Sequence, residues 1–204
     1  MTMSSTPPYH HGDLPSALLH AAVELLEDNG AAELSLRAVA RRAEVSAAAP
    51  YRHFAHRDAL LSAVAAVGYR DLVDRLAAVC ETPTTPEDLA AIAVAYVEFA
   101  LDRSGLFRVM FAEPCDPAGP ERRAATAALH EYVKDIVQQA FPESDPDPMA
   151  NAVWALVHGL ALLHLDGKLE TTSARSVAER VHAAVYAVLA APQPRGRLRS
   201  NRIP

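Results

Sequence analysis

The sequence predicts an all-α protein of about nine helices, with an N-terminal three-helix helix-turn-helix domain joined to a larger helical domain. Two observations carry this. Half of the 204 residues are apolar, with alanine and leucine dominant and β-branched residues rarely clustered, a composition that favours helix nearly throughout. Apolar residues also recur at the 3.6-residue period between Pro, Gly, Asn and Ser/Thr punctuation.

The elements follow in order. Residues 1–11 are polar with Pro7 and Pro8 and read as a flexible arm. A first helix is expected from Leu14 to Asn29, with Asp13 as N-cap, Pro15 in the first turn and Gly30 as the left-handed stop. A second runs from Leu36 to Ala43 behind the Ser35 cap, and Glu44-Val45 forms the turn. A third, short helix covers Ala47 to Phe54 with Ser46 as its cap. A fourth starts near Arg57 and continues to Val79. Further helices are expected over 86–102, 106–113, 121–141, 149–165 and 174–191, with 142–148 as an acidic loop. Three units result: 1–60 as arm and helix-turn-helix domain, 61–192 as helical regulatory domain, and 193–204 as a basic tail carrying Arg195, Arg197, Arg199 and Arg202.

The net charge of −6 is unevenly spread. From Ser35 to Arg57 five arginines (Arg37, Arg41, Arg42, Arg52, Arg57) face one acid, Glu44, whereas Glu81 to Ala150 holds thirteen acids and five basic residues. A local positive field is sufficient for a few phosphate contacts. The two cysteines, Cys80 and Cys115, form no Cys-x-x-Cys pair, which fits a reducing cytosol and a cytoplasmic protein. No signal peptide is visible. The longest apolar stretch, 150–165, is interrupted by His158 and reads as a buried helix, so no membrane partner is expected.

Two short capped helices joined by a tight turn, with arginines at the exposed end, place one helix in a DNA major groove. Ala47, Ala48, Ala49 and Arg52 are the candidates for base edges, since Ala can touch a thymine methyl and Arg can pair with guanine. Tyr51, His53 and Arg57 suit phosphate oxygens, and Ser35 and Arg37 can hold the same backbone from the second helix. The N–H groups that follow the Ser46 cap can also meet a phosphate.

These residues carry a resemblance. AAVELLEDNG followed by SLRAVARRAEVSAAAPYRHFAHRDALL resembles the TetR/AcrR family of transcriptional regulators, with Ser35, Ala40, Val45, Ser46, Tyr51, His53, Phe54, Arg57 and Leu60 matching its pattern. The opening YHHGDL and the later WALVHGLALL resemble the branch whose C-terminal domain carries a Trp-x-x-x-His-Gly motif. Two positions depart from the pattern: Glu44 stands where a turn glycine is common, and Arg57 replaces the usual lysine. The resemblance implies a homodimer on a roughly palindromic double-stranded DNA operator, usually a repressor, released when a small, largely apolar effector enters the C-terminal domain.

In that domain Phe99, Leu106, Phe107, Met110, Phe111, Tyr132, Trp154 and His158 are expected nearest an effector cavity, Trp154 and His158 sharing a face one turn apart. The last two helices are expected to pair with a second copy. Ala155, Gly159, Ala161, Ala183 and Ala184 would allow close approach, and Leu162, Val181, Val185 and Val188 would supply apolar area.

An enzyme is the rival class. It lacks a metal-spaced His/Cys cluster, a phosphate-cradling Gly-rich loop and a nucleophile elbow, so no catalytic residue, cofactor or metal is expected. The alternative is a helical small-molecule-binding or adaptor protein with weak or no specific DNA binding.

Overall fold

A computed structural model describes residues 14–112 and 119–190. The arm with His10, His11 and Asp13, Cys115 with most of its loop, and the basic tail lie outside the described residues. Among those described there are eight α-helices, two 3-10 turns and no strand. The helices are α1 (Leu14–Asn29), α2 (Leu36–Arg42), α3 (Arg57–Ala77), α4 (Pro86–Asp102), α5 (Ser104–Phe111), α6 (Pro120–Ala140), α7 (Pro146–Leu165) and α8 (Ala174–Leu189).

α1 buries Leu18, Ala21, Ala22, Leu25 and Leu26 on one stripe. It ends at Gly30, whose φ of 75° and ψ of 174° put the backbone in an extended, positive-φ conformation that essentially only glycine adopts, instead of the left-handed helical stop expected. α2 packs across α1, and the two form the head with the start of α3. α3 then runs on without a break into the body, where it packs on α6 and α5. α4 lies at the centre of the body, against α8 and α7 as well as α3, α5 and α6. One continuous apolar core joins head and body, from Leu18 to Leu189.

Helix starts follow their caps. Thr85 and Asp88 form a capping box on α4, and Ser173 and Ser176 form one on α8. His56 caps α3, its Nδ1 accepting from the Ala59 N–H at 3.2 Å. Two expected helix starts move by more than one residue. α7 begins at Pro146 instead of Met149, because Asp145 caps it and a proline in the first turn loses no helical bond. α5 begins at Ser104 instead of Leu106, directly after the break at Arg103.

α7 also differs in burial. It is long and apolar enough by length and composition to cross a membrane, yet only 33% of its most apolar window is buried. It is therefore not a plain core helix. One side, with Ala150, Val153, Val157 and Ala161, faces the core, and the other leaves Leu162 and Leu163 exposed.

Candidate functional site

The reading segment of the head is not the α-helix expected over 47–54. The chain makes a turn in which the Ser46 carbonyl accepts from the Ala49 N–H at 2.9 Å, and then a 3-10 turn over Pro50–Arg52. Pro50 is the reason. It has no N–H to give the Ser46 carbonyl and its ring crowds that oxygen, so i→i−4 bonding cannot pass through it. The bonds that follow are i→i−3, Arg52 N–H to Ala49 (3.2 Å) and His53 N–H to Pro50 (3.0 Å), until the Phe54 N–H makes one i→i−4 bond to the Pro50 carbonyl at 2.9 Å. Ser46 acts through its carbonyl and not as the hydroxyl cap expected.

The turn before it is held by a specific device. The Val45 N–H reaches back to the Ala40 carbonyl at 3.0 Å, closing a Schellman-type stop on α2. The residue that must be left-handed there is Glu44, with φ 54°. A glycine would take this conformation without steric cost, and Glu44 does not.

Ser46, Ala47, Ala48, Arg52 and His53 are exposed, as is Tyr51 at 52%. Arg37 is exposed on α2, and the Ser35 hydroxyl accepts from the Ala38 N–H at 3.2 Å as the cap. Ala49 is a correction: it is 9% exposed and turns inward beside Pro50 and Phe54, away from any groove. Arg57 is a second correction. Its guanidinium donates to the carbonyls of Leu34 (3.0 Å, Nε) and Ala31 (2.6 Å, Nη2), tying α3 to the turn between α1 and α2. Arg42 is bound to Glu24 (3.1 Å) and Asp28 (2.7 Å) on α1. Among the described residues Arg37, Arg41 and Arg52 carry no ion pair, so these three remain for an outside anion.

In the body, a cavity of about 30 Å³ lies between α3, α4, α6 and α7, walled by residues such as Leu76, Ile92, Ala93, Ile136 and Val157 with Tyr96 and Trp154. Tyr96 was not foreseen. It is 3% exposed, and its hydroxyl meets His158 Nδ1 at 2.9 Å while Trp154 Nε1 donates to it at 3.3 Å. The indole N–H can only donate, so the tyrosine oxygen accepts it, and the imidazole tautomer sets which partner donates between the Tyr96 hydroxyl and Nδ1. Burial pushes the Tyr96 hydroxyl up and His158 below its ordinary value, so both stay neutral at pH 7. The signal for Tyr96 was its place as the one polar side chain in the apolar run AIAVAYV.

Of the residues expected near an effector, Trp154 lines the cavity. Phe107 and Phe111 stack about His158, with ring centroids 5.5 and 4.6 Å away. Phe99 and Met110, 2% and 0% exposed, belong to the core and do not line the cavity, nor does Leu106. Tyr132 stands apart. Its hydroxyl is buried without a partner and is pushed up to about 12 by burial and, less, by Cys80.

Of the residues expected at a pairing surface, Ala155 and Leu162 on α7 and Val188 on α8 are exposed, Val188 at 54%. A β-carbon on Gly159 would meet nothing within 4 Å, so that side of α7 is open. Val181 and Val185 are corrections. Both are 0% exposed, on the stripe of α8 that faces the protein's own core, where α8 packs chiefly on α4. Ala161 is likewise buried. Leu163 and Tyr186, each 43% exposed, are the apolar residues of this surface that the sequence reading missed.

Known proteins match both parts of the chain. Residues 18–64 match the family profile described as bacterial regulatory proteins, tetR family, and residues 89–191 match the tetracyclin repressor-like C-terminal domain. An HTH-type transcriptional regulator of Mycobacterium tuberculosis is 35% identical over 107 residues, 50% of this chain and 46% of that protein. The match thus spans about half the length of this curated relative. Among solved structures, a protein of unknown function from Rhodococcus sp. RHA1 is 35% identical, with TM-score 0.75 over 91% of this chain and 100% of that one. The TetR-family transcriptional regulator PfmR from Thermus thermophilus shares the fold, with TM-score 0.62 at 19% identity over 83% of this chain and 97% of that one. On the two profile matches, which between them take in the head and most of the body, this chain belongs to the TetR family of bacterial regulatory proteins.

Proposed function

We propose that the protein is a sequence-specific DNA-binding transcriptional regulator that acts as a homodimer on a palindromic operator. It represses transcription in the cytoplasm and leaves DNA when a small, largely apolar effector enters the body. The observation that carries this is the division of labour among the arginines. Arg42 and Arg57 are consumed inside the head, while Arg52 stands exposed on the reading turn with Tyr51 and His53 and no internal partner. An exposed guanidinium without a carboxylate is placed to meet a base edge or a phosphate.

Pairing through α7 and α8 is supported by the exposure of Leu162 and Leu163 on α7 and of Tyr186 and Val188 on α8, and by the open side at Gly159. A twofold pair would set two heads roughly 34–36 Å apart, one DNA turn. In this reading residues 1–60 form the DNA-binding unit and 61–192 the regulatory unit, without catalysis.

The test is selection of bound duplexes from a random library at about 0.15 M salt. An enriched inverted repeat is expected. A folded, dimeric protein that enriches no sequence would overturn the reading.

A further inference from the structure

The head is joined to the body in two places. The first is α3, which starts in the head and runs on into the body. One helix by itself is a pivot, since long helices bend gently. The second is the contact of α1 with the break between α4 and α5. At that break Arg103 leaves helical geometry, with φ −122° and ψ 47°. Its N–H still donates to the Phe99 carbonyl at 2.9 Å, and its carbonyl accepts from the Phe107 N–H at 2.8 Å. The bent backbone is thus held on both sides, and it aims the side chain at the last turn of α1. The guanidinium meets Glu27 at 3.0 Å through Nε and Asp71 of α3 at 3.8 Å through Nη1. Burial pushes the Asp71 carboxyl up and Arg103 opposes that, so one arginine serves two carboxylates. Two residues on, a β-carbon on Gly105 would lie 2.6 Å from the Leu26 carbonyl oxygen. The two backbones are already in contact there, which is a stop against the head tilting further towards α5. The ion pair is the complementary tether, which resists tilting away.

We propose that Arg103 is a positioning residue that fixes the angle of the head on the body, and thereby the half-site spacing that a pair of heads accepts. This rests on the reading of the protein as a homodimer on an inverted repeat. α1 has 16 residues and so spans roughly 24 Å. A tilt of about 8° at one end of such a length carries the other end through ~3.4 Å, the rise of one base pair. Small angles therefore decide the spacing. A partly exposed ion pair adds little to folding stability, and the effect of Arg103 is accordingly on geometry. Arg75 is its counterpart within the body: it pairs with Asp102 at 2.9 Å and Glu98 at 3.6 Å, joining α3 to α4.

The experiment uses the full chain and the half-site it enriches from a random library. That half-site is placed as an inverted repeat at spacings that grow one base pair at a time, at about 0.15 M salt. The unaltered protein is expected to prefer one spacing over its neighbours by about tenfold. Arg103→Ala is expected to cut that preference roughly threefold, with the affinity for a single half-site and the thermal midpoint unchanged. Glu27→Gln frees Arg103 from α1 and leaves it on Asp71. It should relax the spacing in the same way, and it carries the test should Arg103→Ala misfold. Arg103→Glu should relax the spacing further, and adding Glu27→Arg should restore part of the preference. Arg75→Ala should leave the preference intact. An unchanged preference in Arg103→Ala and Glu27→Gln would overturn the proposal. Affinity lost equally at every spacing would do so too, since that is what a merely structural role gives, as would equal relaxation by Arg75→Ala. Failure of the underlying reading looks different: an unaltered protein that enriches no inverted repeat defeats the dimeric reading and this inference together.

Discussion

The head and the body of this protein are held together by different means. α2 is 7 residues long and the reading 3-10 turn is 3, far below the length at which an isolated helix persists in water. Their geometry depends on specific polar devices: the Ser35 cap, the Schellman stop at Glu44, and the Arg57 guanidinium on two carbonyls. The body is made of helices of up to 21 residues whose apolar stripes close on one another. There the energy is spread over area, and most single polar contacts matter little. The lesson is that the head is precise and locally fragile, while the body is broad and tolerant. The two meet where α5 abuts α1. Arg103 pairs there with Glu27 at 3.0 Å and with Asp71 at 3.8 Å.

The largest effect is expected at that junction. A β-carbon on Gly105 would lie 2.6 Å from the Leu26 carbonyl oxygen, backbone against backbone. Gly105→Ala should cost about 3 kcal/mol in chemical denaturation, because neither helix can move alone. Gly68→Ala is the control. Its β-carbon would press on the Met110 side chain at 2.6 Å, which can shift, and the gain in helix propensity should bring the net cost below about 1 kcal/mol. Equal losses at the two glycines would break the picture of a rigid junction.

Arg57→Ala should cost about 2 kcal/mol, with faster amide exchange in α1 and α2, since it strips a charged donor from two carbonyls. Weaker binding to every duplex would follow from the loosened head. Lost DNA affinity with unchanged head exchange would return Arg57 to the phosphate-contacting role expected from sequence.

Arg52→Ala should leave the thermal midpoint unchanged and relax the preference at one position of each half-site, by about 1–3 kcal/mol of discrimination. Equal losses on specific and random duplexes would sink its base-reading role. Glu44→Gly should raise head stability by up to about 1 kcal/mol, because glycine accepts the left-handed backbone at φ 54° freely. A loss on that substitution would show that the Glu44 side chain contributes something its backbone conformation conceals.

The smallest effect is pH dependence in the body. His158 and His164 are both pushed below 6.5, first by burial and, for His164, also by Arg180. Unfolding lets each take up a proton near its ordinary value, so the folded state binds fewer protons. Their contribution is complete above about pH 6.5 and declines as pH falls towards the folded values. Melting curves from pH 8 to 5 should drop on the acid side, and His158→Gln should flatten that drop. An unchanged slope in the variant would remove His158 from the linkage.

Much of the molecule was legible in the chain. The stripe of α1, the Gly30 stop, the Ser35 cap and the bounds of α4 were all signalled by local pattern, because caps, prolines and apolar spacing act within a turn or two. Glu44 was visible as an oddity, and the structure supplies its φ. What stayed hidden were the partners of long side chains. Arg57 reads like any basic residue beside a DNA-binding turn until its reach to Ala31 and Leu34 is seen. Val181 and Val185 look like a pairing stripe until α4 is found covering them, and Tyr96 looks like core until Trp154 and His158 converge on it from 58 and 62 residues away. Periodicity states which residues share a face, and so the sequence by itself determined most of the helices, several of their caps and the family. Which neighbour each face meets depends on contacts between segments distant in sequence, and only the tertiary structure decided which arginines are free, which valines are covered, and which hydroxyl Trp154 and His158 share.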